Sequence, residues 1–129
     1  MEVIIGTPSK YSKTLMLHRS PPDEIPKGSY FLILRMLHDK ELIAGSLIAE
    51  KYEDSYVIRQ VHVDENCRRM GCGRQMMEAI LDFLKPKKKD IILYVDPSNT
   101  IAISLYKSVG FKRIKKGAAF GDKYLLTEN

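Results

Sequence analysis

The sequence predicts an α/β fold: a mixed, mostly antiparallel sheet with one parallel strand–helix–strand crossover. Three observations carry this. Between Tyr56 and Val95, an extended segment, an amphipathic helix and a short continuously apolar run follow one another. That order is the pattern of two parallel strands joined by a right-handed crossover. Before it, two extended apolar runs are joined by the polar "HDKE"; after it, "FKRI" and "KYLLTE" form a second hairpin.

Taken in order, "EVIIG" (Glu2–Gly6) is a short first strand, and a helix is expected near Lys10–His18. "SPPDEIPKGS" (Ser20–Ser29) holds three prolines and a glycine and is a loop. Strands follow at about Tyr30–His38 and Glu41–Glu50, then a turn at "YEDS" (Tyr52–Ser55) and a long strand over Tyr56–Val63. In the next helix Met76, Met77, Ile80, Leu81 and Leu84 share one face, at amphipathic spacing, and Pro86 ends it. "IILYV" (Ile91–Val95) is apolar throughout, as a strand covered on both faces must be. "DPSN" (Asp96–Asn99) caps a second helix at about Thr100–Val109, which Gly110 ends.

At 129 residues, 44% hydrophobic and 29% charged, the chain is expected to form one domain over residues 1–129. No apolar run reaches the ~20 residues of a membrane span, and "MEVIIGTPSK" lacks the basic-then-apolar pattern of a leader. Cys67 and Cys72 have no companion Cys/His pair, so no metal site is expected. They read as reduced thiols of a cytoplasmic-type protein. The formal charge of +5 gathers at "KPKKKD" (Lys85–Asp90) and "FKRIKK" (Phe111–Lys116). These runs suit solvated element ends first and an anionic cofactor second. Nucleic acid ranks last, because no recognition motif or stacking-aromatic pattern accompanies them.

The stretch that carries chemistry is "VHVDENCRRMGCGRQMM" (Val61–Met77), a strand end, a glycine loop and a helix start. It is not a P-loop, since no G-x-x-x-x-G-K-[ST] occurs, and the dinucleotide pattern G-x-G-x-x-G fails at Met76. It does satisfy R-x-x-G-x-G through Arg68, Gly71 and Gly73. Such a loop aims successive backbone N–H groups at a pyrophosphate, with the positive end of a helix behind them. Arg68, Arg69 and Arg74 add charge. A second stretch, "NTIAISLYKSVGF" (Asn99–Phe111), puts Asn99, Ala102 and Tyr106 on one helical face and Ile101, Leu105 and Val109 on a side suited to the core.

Together the two stretches resemble the GNAT superfamily of acetyl-CoA-dependent N-acetyltransferases, as a compact member, over roughly Tyr30–Lys116. The resemblance implies that the strand ending at Val63 bulges and parts from the strand ending at Val95, opening a splayed cofactor cleft. The pantetheine arm would lie along Val61, His62 and Val63. The pyrophosphate would sit on Arg68, Arg69, Met70, Gly71, Cys72, Gly73 and Arg74. Asn99 and Ala102 would face the cofactor, and Lys107 or Lys112 would reach its 3′-phosphate. Tyr106 matches the family's general acid for the departing thiolate.

The sequence departs from the family pattern at the general base. "YVIRQVHV" has no carboxylate where many relatives carry a glutamate, so a water relay through Asp96, Asp54, Glu50 or His62 is expected, with Asp96 preferred. The N-terminal lid is short. An open acceptor site of this kind suits a small cationic amine such as a polyamine, held by Glu24, Glu50 and Asp54, with Asp23 near by. The alternatives are acetylation of a protein lysine or N-terminus, and a CoA-binding module without catalysis. A homodimer paired through C-terminal strands is a further expectation from the family, and Cys67 and Cys72 become oxidation-sensitive positions beside the phosphates.

Overall fold

A computed structural model of the chain describes residues 1–7, 25–37, 42–118 and 120–127. Seven strands are found among them: β1 (Glu2–Gly6), β2 (Tyr30–Arg35), β3 (Ile43–Lys51), β4 (Ser55–Val63), β5 (Asp90–Val95), β6 (Phe111–Ala118) and β7 (Gly121–Leu126). Two helices join them, α1 (Cys72–Leu84) between β4 and β5, and α2 (Thr100–Ser108) between β5 and β6. The expected helix near Lys10–His18, the "HDKE" turn and the acidic pair Asp23 and Glu24 lie outside the described residues.

The strands form one sheet in the order β1-β2-β3-β4-β5-β7-β6. Only β4 and β5 run parallel, as the crossover through α1 requires; every other neighbouring pair is antiparallel. Both hairpins differ in extent from expectation. β2 stops at Arg35, three residues short of His38, and β3 starts at Ile43. Their register shifts past Leu34, where Ala44 has no Cα partner. At the C-terminus β6 and β7 extend the expected hairpin inward to Ala118 and Gly121.

α1 lays the predicted apolar face on the sheet: Met76, Met77, Ile80, Leu81 and Leu84 are all buried with Leu32, Leu34, Leu47, Ile58 and Leu93. A smaller cluster of Phe31, Ile33 and Ile48 is buried on the other side of β2 and β3, so these strands are apolar on both faces. Pro86 lies in a short 3-10 turn, Lys85–Lys87, directly after α1, because its ring cannot continue the helix.

α2 departs from the sequence reading. The predicted division put Ile101 toward the core and Ala102 and Tyr106 away from it. Instead Ala102, Leu105, Tyr106 and Val109 all pack inward, and Ile101 is 85% exposed. At about 100° per residue the inward strip centres between Ala102 and Val109, and Ile101 lies about a quarter-turn from that centre.

The free edge beyond β7 is β6, which carries Lys112, Arg113, Lys115 and Lys116 with an exposed Ile114 among them. Charge along an edge strand discourages addition of further strands.

Candidate active site

Two breaks in regular pairing open the site. β4 and β5 pair only from Ser55↔Asp90 to Ile58↔Leu93. Beyond Ile58, β4 keeps β3 on one side, while β5 stays bonded to β7 through Tyr94 and Val95. On the β3 side the register jumps from Ile48↔Arg59 to Ser46↔His62, so Gln60 and Val61 oppose the single Leu47. Gln60 has φ 54, a left-handed conformation that bends the strand. The expected bulge and splay are therefore present. Among the described residues no strand pairs with β4 on its β5 side beyond Ile58, and a strand end opened in this way accepts an extended ligand as an added strand.

The resulting cleft has a volume of roughly 360 Å³. Its β4 wall is Arg59, Gln60 and Val61, its β5 wall is Tyr94, Val95 and Asp96, and Asn99, Tyr106 and Phe120 close it. Val61, Asp96, Asn99 and Tyr106 of the expected site are thus brought together. His62, Val63, Ala102 and Lys107 do not line the cleft: His62 pairs in register with Ser46, Ala102 packs on the core, and Lys107 is exposed on the last turn of α2.

The glycine loop runs from the 3-10 turn Glu65–Cys67 into α1. Arg69 (φ 65) and Gly71 (φ 75) are both left-handed, the alternation that turns consecutive N–H groups into one concavity. A Cβ on Gly71 would meet nothing within 4 Å, so this glycine serves the backbone turn. Gly73 serves close approach: a Cβ there would lie 3.0 Å from Leu105 Cδ2 on α2. No side chain caps α1, and its first backbone bond is Gln75 N–H to Gly71 O, at 3.0 Å. The Cys72, Gly73 and Arg74 amides therefore have no partner within the helix.

Arginines flank this N-terminus. Arg68 Nε donates to Val63 O at 3.4 Å, and Arg74 donates to Ser108 Oγ at 2.7 Å, tying the first turn of α1 to the end of α2. Met70 is exposed on the same loop. Cys67 and Cys72 are free and buried, and Cys72 Sγ sits 3.6 Å from Met1 Sδ. Burial, and then Cys67, pushes the Cys72 thiol pKa up. Both thiols are packed in the core, and a buried thiol is a poor oxidation target, which counts against the expected oxidation sensitivity of the pair.

Tyr106 is 8% exposed, its ring tilted against Phe111 at 6.2 Å. Burial pushes its pKa above the ordinary value of 10.0, so at neutral pH the phenol holds its proton at the cleft. Asn99 caps α2, accepting from Ala102 N–H at 3.2 Å. Asp96 closes the preceding turn, accepting from Ser98 N–H at 2.8 Å and from Ser98 Oγ–H at 2.7 Å. Those bonds hold its carboxyl below the usual aspartate range, which makes it a weak proton acceptor at neutral pH.

Of the expected acceptor-binding carboxylates, Glu24 lies outside the described residues and Asp54 is exposed on the β3–β4 turn, away from the cleft. Glu50 is engaged by a residue that sequence reasoning missed. Arg59 Nε sits 2.6 Å from Glu50 Oε1, in an ion pair whose N–H is not aligned on the carboxylate. The Tyr52 hydroxyl donates to the same oxygen at 3.1 Å. The Arg59 guanidinium also lies 4.9 Å from the Phe120 ring and 5.9 Å from the Tyr94 ring. An arginine inside the alternation of "YVIRQVHV" was the available signal.

Residues 6–111 match the Acetyltransferase (GNAT) family. Among curated proteins, the chain is similar to the [Ribosomal protein bS18]-alanine N-acetyltransferase of Salmonella typhimurium. The two are 31% identical over 86 residues, which cover 66% of this chain and 57% of that one. A mycothiol acetyltransferase of Renibacterium salmoninarum is 48% identical over 44 residues, 33% of this chain and 13% of that one. The chain thus matches less than two thirds of the length of these relatives. In fold it resembles a GNAT-family acetyltransferase of Staphylococcus aureus Mu50, with TM-score 0.71 and 15% identity over 96% of this chain and 98% of that one. It also resembles the PaiA N-acetyltransferase of Thermoplasma acidophilum in complex with coenzyme A, with TM-score 0.68 and 10% identity over 99% of this chain and all of that one. With this match running from the end of β1 to the start of β6, across both the glycine loop and α2, the chain belongs to the GNAT acetyltransferase family.

Proposed function

We propose that the chain is an acetyl-CoA-dependent N-acetyltransferase acting on a primary amine, and that the amine it suits best is a peptide or protein α-amine. The observation that carries this is one cleft, opened where β4 parts from β5, that unites the end of β4 with a buried, protonated Tyr106, while the carboxylates near it among the described residues are already engaged. The residues present fit the cosubstrate. Free amides and arginines at the start of α1 would hold its pyrophosphate, and the Arg59–Val63 edge of β4 would hold its pantetheine arm.

When bound, acetyl-CoA supplies an activated acyl group. The chain's own residues orient it along β4, and the Tyr106 hydroxyl gives a proton to the leaving sulfur. The amine must lose its own proton, and here the acceptor class matters. An alkylamine has a pKa near 10.4, an α-amine one near 7.7–8.0, a difference of ~3.4 kcal/mol in the cost of deprotonation at neutral pH. With Asp96 tied to Ser98 and Glu50 to Arg59, the α-amine places less demand on a base. The activities named for the bS18-alanine and mycothiol relatives belong to those proteins, and the first of them is of this kind.

A small cationic amine such as a polyamine is the second reading, favoured by the open cleft and by the Asp96 carboxylate on its wall. Lysine acetylation is a third. A homodimer through C-terminal strands would have to use the basic β6 edge. Two unbridged thiols suit a reducing, cytoplasmic setting.

The test is thiol release from acetyl-CoA with peptides bearing a free N-terminus, the same peptides blocked at the N-terminus but containing lysine, and spermidine. Turnover concentrated on free N-termini is expected. Turnover of spermidine alone would replace this reading with the polyamine one, and no turnover with any amine would overturn the enzymatic assignment.

A further inference from the structure

The same cleft carries a cation whose position bears on which amines it takes. We infer that Arg59 is a specificity-determining residue that binds a carboxylate on the acceptor close to the amine being acetylated. The inference rests on the acetyl-transfer reading above and deepens it.

Arg59 lines the cleft together with Asn99 and Tyr106, beside the point where β4 and β5 separate. Its guanidinium is held on two sides. Glu50, whose side chain is only 15% exposed, lies 2.6 Å from Nε as an ion-pair partner on the neighbouring strand, and the rings of Tyr94 and Phe120 lie over the charge. These rings also meet each other edge-on at 6.0 Å, so the wall around the guanidinium is aromatic. A guanidinium has five N–H donors, more than one carboxylate accepts, and Arg59 is the more exposed member of its ion pair.

The cleft therefore presents to an acceptor a planar donor fork beside one carboxylate, Asp96, whose Oδ1 is taken by Ser98. A planar fork matches a carboxylate, and orientation by Glu50 and the rings reduces the rotamer freedom lost on binding. Two sources supply that chemistry: an acidic side chain next to a peptide N-terminus, or the main-chain carboxylate of a free amino acid.

The experiment compares kcat/KM for peptides that begin Ala-Glu, Ala-Gln or Ala-Lys and are otherwise identical, and for free alanine against alaninamide. The wild-type chain should take the Ala-Glu peptide, or free alanine over alaninamide, by about tenfold; whichever pair shows the difference identifies the source. Arg59→Gln should erase that preference and favour Ala-Lys, because Glu50 is left uncompensated. If Arg59→Gln does not fold, the double variant Glu50→Gln with Arg59→Gln removes both charges, and all three peptides should then react equally. Equal turnover of the Glu, Gln and Lys peptides and of alanine and alaninamide by the wild type, or an acid preference that survives loss of Arg59, would overturn the inference alone. No turnover of any acceptor would overturn the acetyltransferase reading and this inference with it.

Discussion

Replacing Tyr106 with phenylalanine separates chemistry from structure more cleanly than any other single change at the site. The ring is buried against Phe111, and burial alone accounts for the raised pKa, with no hydrogen bond among the described residues contributing. Loss of the hydroxyl therefore leaves the packing intact, and Tyr106→Phe should change folding stability by no more than about 1 kcal/mol. Tyr106→Ala should cost about 3–5 kcal/mol through the cavity it leaves. If the hydroxyl supplies the proton to the leaving thiolate, Tyr106→Phe should lower kcat by about 10²–10⁴-fold. Acetyl-CoA affinity should stay nearly constant, since the hydroxyl acts only as charge develops. The assay is thiol release under saturating acetyl-CoA, paired with calorimetric titration of CoA and a thermal melt. The pH dependence has a definite sign. A phenol pKa raised above 10 keeps the donor intact through neutral pH, so activity requiring it should fall only on the alkaline side, above pH 10. Folding stability linked to this group is likewise full below pH 10 and is lost as pH rises through the raised value. A Tyr106→Phe enzyme with more than half of wild-type kcat, or one that loses CoA affinity in parallel, would refute the assignment.

The two loop glycines should respond differently. Gly73→Ala forces its Cβ to within 3.0 Å of Leu105 Cδ2, and should cost about 1–3 kcal/mol in melts while raising the KM for acetyl-CoA. Gly71→Ala meets no neighbour and should cost only the left-handed backbone penalty, about 1–2 kcal/mol. Asp96→Asn should keep most activity, because the carboxylate serves the Ser98 turn; a hundredfold loss of kcat would restore Asp96 as base. Its lowered pKa stabilises the turn above the unfolded aspartate value near 3.9, and that support is lost as pH falls through the lower folded value. Cys67 and Cys72 should react with a thiol reagent orders of magnitude more slowly in the native protein than in denaturant; equal rates would contradict their burial.

Much of this fold is legible in local pattern. Met76 through Leu84 repeat at helical spacing because α1 has one face on the sheet, and "IILYV" is unbroken because Ile92 is buried as well as Ile91, Leu93 and Val95 on the α1 side. The glycine loop is readable because a left-handed turn before a helix leaves few residue choices at Gly71. What was not legible depends on where elements come to rest. Ile101 looks like a core residue until α2 is rotated by its packing on β6, which turns Ala102 and Tyr106 inward together. The partner of Glu50 follows from register across the β3–β4 pair, next to the bulge at Gln60, and no pattern within either strand states that register. Asp96 was expected to act at the cleft, and it does line it, but the Ser two residues on binds its Oδ1 twice.

The basic edge of β6 has a consequence for the molecule in solution. A second copy adding to this strand antiparallel would set Lys112, Arg113, Lys115 and Lys116 against the same four cations. Such repulsion reaches across about 10 Å at 0.1 M salt and about 3 Å at 1 M. Ionic strength then governs self-association: light scattering should report single copies in dilute buffer and larger species as salt rises, with Ile114 supplying the apolar contact once the charges are screened. Purification at low salt protects the edge, and crystallisation from concentrated salt invites strand-to-strand contacts that dilute solution does not hold.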